Sequence, residues 1–106
     1  MATSPSAASR LLEHDGHALE AGTLLLKALA NEKRLQILCL LMERELSVTQ
    51  INQQLALSQS ALSQHLAILR RDGLVQTRRE SQTIYYSLSS ESAKAVLSAL
   101  AHHYAA

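Results

Sequence analysis

The stretch from Ala56 to Gly73, AlaLeuSerGlnSerAlaLeuSerGlnHisLeuAlaIleLeuArgArgAspGly, constrains this chain more than any other. At about 100° per residue, Leu62, Leu66 and Leu69 share one side of a helix, and Ser60, Ser63, Gln64, Ala67 and Arg71 share the opposite side. The leucine side needs a core. The other side is flat and polar. Ser58 is placed to cap the first turn, and Gly73 comes after the last turn as a left-handed terminator. Upstream, Ser47-Val48-Thr49-Gln50 has the spacing of a capping box and opens a shorter helix to Leu55. Two helices joined by a tight turn at Ala56-Leu57-Ser58 have the spacing of a helix-turn-helix.

A solvated helix face ordinarily carries Glu and Lys. Ser and Gln suit a close approach to a hydrogen-bonding surface instead. The DNA major groove admits one helix and offers base edges and phosphates to Gln, Ser and Arg. A plain helical hairpin is the competing reading of the pair. The residues after Gly73 argue against it. Leu74–Arg79 and Thr83–Leu88 have the composition of two strands around a turn at Glu80-Ser81-Gln82. A hairpin directly after a reader helix is the wing of a winged helix, and its tip from Arg78 to Gln82 suits phosphates or the minor groove. The candidate contacts are Ser58, Gln59, Ser60, Ser63, Gln64, His65, Arg70 and Arg71 around the helix, with Arg78, Arg79, Gln82 and Thr83 in the hairpin.

Composition agrees with a mainly helical fold. The chain has 106 residues, 47% of them hydrophobic, with no Phe and no Trp. One domain is expected at that length. The net charge of +1 says little about partners. Its distribution says more, since residues 1–23 hold one basic side chain against three acidic ones, and residues 24–106 hold nine against six. The single cysteine, Cys39, excludes an internal disulfide framework and fits a reducing cytoplasm. The N-terminus lacks the pattern of a signal peptide, and no apolar run is long enough to span a membrane.

Residues 1–15 read as a mobile segment and 16–106 as the folded domain. A helix from Gly16 to Ala30 carries three adjacent leucines, Leu24, Leu25 and Leu26, which is more apolar surface than one face requires. Asn31 caps the next helix, which runs to about Glu43 with Leu35, Leu38, Cys39 and Met42 on one face. Ser89 or Ser90 caps a last helix with an apolar stripe from Ala93 to Tyr104. The economical packing is a homodimer joined by the first and last of these helices, through Leu19, Leu24, Leu25, Val96, Leu97, Leu100 and Tyr104. The expected architecture is thus five helices plus a two-stranded wing, as a homodimer.

These residues resemble the ArsR/SmtB family of winged-helix repressors. The resemblance rests on LysAlaLeuAlaAsnGluLysArgLeuGlnIleLeu (27–38), GluLeuSerVal (45–48), LeuSerGlnSerAlaLeuSerGlnHisLeu (57–66), ArgArgAspGlyLeuVal (70–75) and ArgArgGluSerGlnThrIleTyrTyrSerLeu (78–88). It covers about residues 24–104, and is strongest toward the thiol-sensing HlyU/BigR/SqrR branch. It implies a homodimer on double-stranded DNA, at an imperfect inverted repeat in a promoter, acting by occlusion or displacement. The family's metal-binding cysteines correspond here to Ser47 and Thr49, poor ligands for a soft metal. Its zinc pattern in the last helix corresponds to Ser89, Glu91, His102 and Ala105, two ligand types out of four. His14 and His17, with Glu13 and Asp15, form a further weak candidate. No metal site and no cofactor are assigned, and a zinc-responsive repressor stays as the alternative.

In the thiol-sensing branch a cysteine of the second helix pairs with one near the end of the last helix. Cys39 matches the first, but residues 102–106 contain no cysteine, so an internal bridge is impossible by count. Cys39 is either a core hydrophobe among Leu35, Leu38, Leu40 and Met42, or a one-cysteine redox or sulfur sensor. An enzyme is excluded by the lack of an orienting base near Cys39 and of a glycine loop for phosphate. A winged-helix protein–protein module is the remaining competitor. The Ser/Gln face and the arginine-bearing hairpin argue against it.

Overall fold

The computed structural model describes residues 6–13 and 16–105. Along the chain run α1 (Ala7–Arg10), α2 (His17–Leu29), α3 (Glu32–Leu41), β1 (Leu46–Ser47), α4 (Val48–Leu55), α5 (Gln59–Arg71), β2 (Val75–Glu80), β3 (Thr83–Leu88) and α6 (Glu91–Tyr104). The five longer helices are those the sequence predicts. The four-residue α1, within the segment expected to be mobile, makes six among the described residues.

The caps explain the boundaries. Asn31 accepts a hydrogen bond from the Arg34 amide and starts α3. Ser47 and Gln50 form both halves of the capping box of α4, at 3.2 and 2.9 Å. Ser58 and Ser90 cap α5 and α6 by accepting from Ala61 and Ala93. Gly73, at φ 76°, lets the chain leave α5, and Leu74 N–H reaches back to the Leu69 carbonyl at 2.9 Å. The open carbonyls ending α2 are met from α3, where Arg34 Nε donates to Ala28 O at 2.6 Å and Nη2 to Lys27 O at 3.3 Å.

One apolar core joins these elements. Ile37, Leu38, Ile51, Leu62 and Leu69 are its most deeply buried large side chains, with Leu29, Leu41, Leu46, Leu66, Leu74, Val75, Leu88 and Leu97 around them. The sheet has three strands rather than two, in the order β1-β3-β2, all antiparallel. The added strand β1 pairs Leu46 with Tyr86 and Ser47 with Tyr85. A two-residue strand is too short to leave a periodic signal. It fastens the hairpin to the residues that open α4.

The stripe on α3 differs from expectation. Ile37, Leu38 and Leu41 are buried, whereas Cys39 and Met42 are exposed. Packing rotates the inward face about 100° from the one that apolarity alone selects. The unbroken apolar run from Ile37 to Met42 gives periodicity little to discriminate. No helix among the described residues is long and apolar enough to cross a membrane.

Candidate nucleic-acid interface

The α4–α5 turn is held by one side chain that sequence reasoning did not single out. Asn52 Nδ2 donates to Leu57 O, and Leu57 N–H donates to Asn52 Oδ1, both at 2.8 Å. The clamp sits beside Ala56, which adopts a left-handed conformation at φ 54°. That conformation is unfavourable for a residue with a Cβ. The doubly bonded Asn52 offsets it and fixes the angle between the two helices.

With Leu62, Leu66 and Leu69 anchored in the core, α5 presents Gln59, Ser60, Ser63, Gln64, Ala67, Arg70 and Arg71 outward. Ser63 and Gln64 make no side-chain hydrogen bond among the described residues, so their donors and acceptors face solvent. Ser60 Oγ lies 3.4 Å from the capping Ser58 Oγ. Arg71 forms a two-point pair with Asp72, Nε–Oδ1 at 3.0 Å and Nη2–Oδ2 at 3.2 Å. The hydrogen bond to Arg71 holds the Asp72 carboxyl below its ordinary range. Arg70 is exposed with no ion pair among the described residues.

His65, expected on the contact face, is half-buried at its flank, and its Nδ1 is enclosed without a hydrogen-bond partner. Burial lowers its pKa below 6.5, and the nearby Arg34 charge lowers it further. It is therefore a neutral imidazole at neutral pH.

The hairpin separates the two arginines that adjacency in sequence groups together. Strand side chains alternate between faces. Val75, Thr77 and Arg79 share a face with their partners Leu88, Tyr86 and Ile84. This face is core at its base and solvent at its tip, since Val75 and Leu88 are buried while Arg79 and Ile84 are exposed. Tyr86 borders a cleft of about 540 Å³ shared with Ser63, Ala67 and Arg70, which places α5 on that side. Arg79 makes no ion pair among the described residues. Arg78, Glu80, Tyr85 and Ser47 occupy the other face. There Arg78 Nε donates to Glu45 Oε1 and Oε2 at 2.8 and 2.9 Å, Nη1 donates to Glu80 Oε2 at 2.8 Å, and Nη2 meets Glu45 Oε1 as well. Its guanidinium lies 4.7 Å from the Tyr85 ring centroid. Those hydrogen bonds, Glu45 first, raise the Arg78 pKa, and the bond to Arg78 lowers that of Glu45. The two arginines expected together in the wing thus differ in their partners, Arg78 being ion-paired. Gln82 and Thr83 are exposed at the tip.

Of the residues expected at a dimer interface, Leu97 is buried in the protomer's own core, with Leu25 and Val96 packed against it. Leu19, Leu24, Leu100 and Tyr104 remain exposed, Leu24 at 55% and Tyr104 at 85%. Cys39 is exposed, which goes against the first of its two readings, that of a core hydrophobe. It borders a hollow of about 280 Å³ with Glu43, Arg44, Gln50, Gln53 and Gln54. Among the described residues no three of His, Cys, Asp and Glu are grouped to hold a metal. His14 and Asp15 lie outside the described residues. His102 and His103 sit edge to face at 5.1 Å, and Glu91 pairs with Lys94 at 3.2 Å.

Residues 31–77 match the family described as "Bacterial regulatory protein, arsR family". The chain is 64% identical over 76 residues to the transcriptional activator HlyU of Vibrio cholerae, covering 72% of this chain and 70% of that protein. A solved structure of HlyU from Vibrio cholerae N16961 superposes with a TM-score of 0.81 at 56% identity, covering 85% of this chain and 98% of that one. The transcriptional repressor BigR from Xylella fastidiosa superposes with a TM-score of 0.79 at 38% identity, over 83% of this chain and 90% of that one. These relatives are transcriptional regulators rather than enzymes. On this identity over most of both chains, together with the winged helix-turn-helix, the chain belongs to the ArsR family of bacterial transcriptional regulators.

Proposed function

We propose that residues 16–106 form a homodimeric, sequence-selective DNA-binding regulator that reads an imperfect inverted repeat at a promoter in the cytoplasm. The observation that carries this reading is the outward face of α5. Its Ser63 and Gln64 groups have no partner among the described residues, while Arg70 beside them and Arg79 on the wing are unpaired cations there. Ser and Gln supply base-edge contacts, and the arginines supply phosphate contacts. The proposed contacts extend to the exposed wing-tip residues Gln82 and Thr83 and to the helix start at Ser58, Gln59 and Ser60. Two such faces spaced by a two-fold axis would match successive major-groove turns of a palindrome. Exposed Leu19, Leu24, Leu100 and Tyr104 supply apolar surface for that pairing.

Footprinting of the purified protein on fragmented genomic DNA tests the reading. Protection of a two-fold symmetric site is expected, with two protomers per site by sedimentation of the complex. Uniform binding without a preferred site, or a monomer on DNA, would overturn it. Replacing Leu24 or Leu100 by Asp places a charge where association needs apolar contact and should yield monomers. Exposure of Cys39 favours its reading as a redox or sulfur sensor over that of a core residue. Release of the site by wild type, but not by Cys39→Ser, under peroxide or polysulfide is the expected outcome.

A further inference from the structure

Arg78 is a cation in the hairpin of a protein proposed to bind DNA, yet two carboxylates occupy its guanidinium. Glu45, just before β1, engages both Nε and Nη2, and Glu80 engages Nη1. With two carboxylates on one guanidinium, the cluster carries a net charge of −1. To serve a phosphate, Arg78 would first have to give up Glu45. The path of the side chain matters as much as its charge. Arg78 stands on β2, crosses above Tyr85 of the central strand β3, and ends on the residue preceding β1. Glu45 and Ser47 lie two apart on one face, and Ser47 is opposite Tyr85. Ser47 is also the N-cap of α4. The bridge therefore ties the outer strand of the hairpin to the corner where the helix-turn-helix begins. Backbone pairing cannot make this tie, because β1 pairs only with β3.

We infer that Glu45 is a positioning residue for the wing: through Arg78 it fixes the hairpin against the start of α4, and Arg79 alone of the two arginines is left to meet phosphate. The inference rests on the DNA-binding reading for its functional meaning. An isolated exposed ion pair contributes little to stability. Here the carboxylate is gripped at two nitrogens, and the guanidinium also covers an aromatic ring, so geometry is constrained in more than one direction. The consequence is counterintuitive for an acidic residue near DNA. Removing Glu45 should weaken binding, although it removes a repulsive charge.

The test compares wild type with Glu45→Gln, Arg78→Gln, Arg79→Gln, the double Glu45→Gln/Arg78→Gln and the exchanged Glu45→Arg/Arg78→Glu. Binding is titrated over a salt series on the duplex recovered by footprinting and on a random duplex of equal length. Amide hydrogen exchange of the hairpin is followed without DNA. Glu45→Gln and Arg78→Gln are each expected to lose about three- to ten-fold in affinity, with the wild-type salt slope retained. The double variant should be no worse than either single one, the exchanged pair should recover, and hairpin amides should exchange faster in both single variants. Arg79→Gln should lower the slope by about 0.9 per protomer, about 1.8 for the dimer. Three results would overturn the inference: a lowered slope in Arg78→Gln, tighter binding by Glu45→Gln, or unchanged hairpin exchange in Glu45→Gln. If wild type bound neither duplex, the DNA reading would fall, and the exchange measurement alone would decide whether the tie exists.

Discussion

The reader helix and the wing carry similar residue types with opposite availability. On α5, Ser63 and Gln64 are exposed and have no partner among the described residues, because Leu62, Leu66 and Leu69 use up the inward side of the helix. On the hairpin, Arg78 and Arg79 are neighbours in sequence, yet one is held by Glu45 and Glu80 and the other has no ion pair among the described residues. The cause is local geometry. A helix gathers residues three and four apart onto one face, so the polar set on α5 stays together. A strand sends adjacent residues to opposite faces, so an arginine pair is divided. Charge counted along a hairpin therefore overstates the charge that a partner can reach.

The strongest way to break the comparison is to remove what holds both regions to one core. Leu62→Ala or Leu69→Ala should destabilise the fold by about 2–5 kcal/mol in denaturant unfolding, because these side chains are almost wholly enclosed. A milder break loosens only the helix-turn-helix angle. Asn52→Ala strands the polar groups of Leu57 and should cost about 1–3 kcal/mol, whereas Ala56→Gly relieves the left-handed turn and should be neutral or stabilising.

Two binding measurements sharpen the contrast instead. Ser63→Ala or Gln64→Ala should lose about 1–3 kcal/mol on the selected site and little on random duplex. Arg79→Ala should weaken both similarly and flatten the salt slope, as expected for a phosphate contact. Equal behaviour of all three variants on both duplexes would erase the distinction between reader and wing.

The smallest effect concerns His65, at the flank of the reader face. Its folded pKa lies below the ordinary 6.5, through burial first and Arg34 second. The unfolded chain then binds more protons below that value. Its contribution to stability is complete above about pH 6.5 and is lost as pH falls toward the folded pKa. Thermal melts between pH 7.5 and about 5 should show a decline that is shallower in His65→Gln. An identical decline in the variant would assign it to other groups.

The sequence by itself determined the five longer helices, the hairpin, three of the caps and the polar face of α5. Each is written in nearest-neighbour chemistry: Asn31, Ser47 and Ser58 before helical runs, Gly73 after one, and leucines at spacings of three and four. It left open which of Ser89 and Ser90 caps α6, and packing chose Ser90. Other features were decided only when distant segments met. The strand β1 exists because Leu46 and Ser47 find Tyr86 and Tyr85 nearly forty residues later in the chain. Arg78 is neutralised because β3 brings β2 within reach of Glu45. Cys39 faces outward because Ile37, Leu38 and Leu41, rather than Cys39 and Met42, are the side chains of α3 that the core encloses. Leu97 turns inward for the same reason. Local propensity and periodicity act over one or two turns of chain. Which apolar side is inward, and which charge finds a partner, depends on contacts whose sequence separation no local pattern encodes.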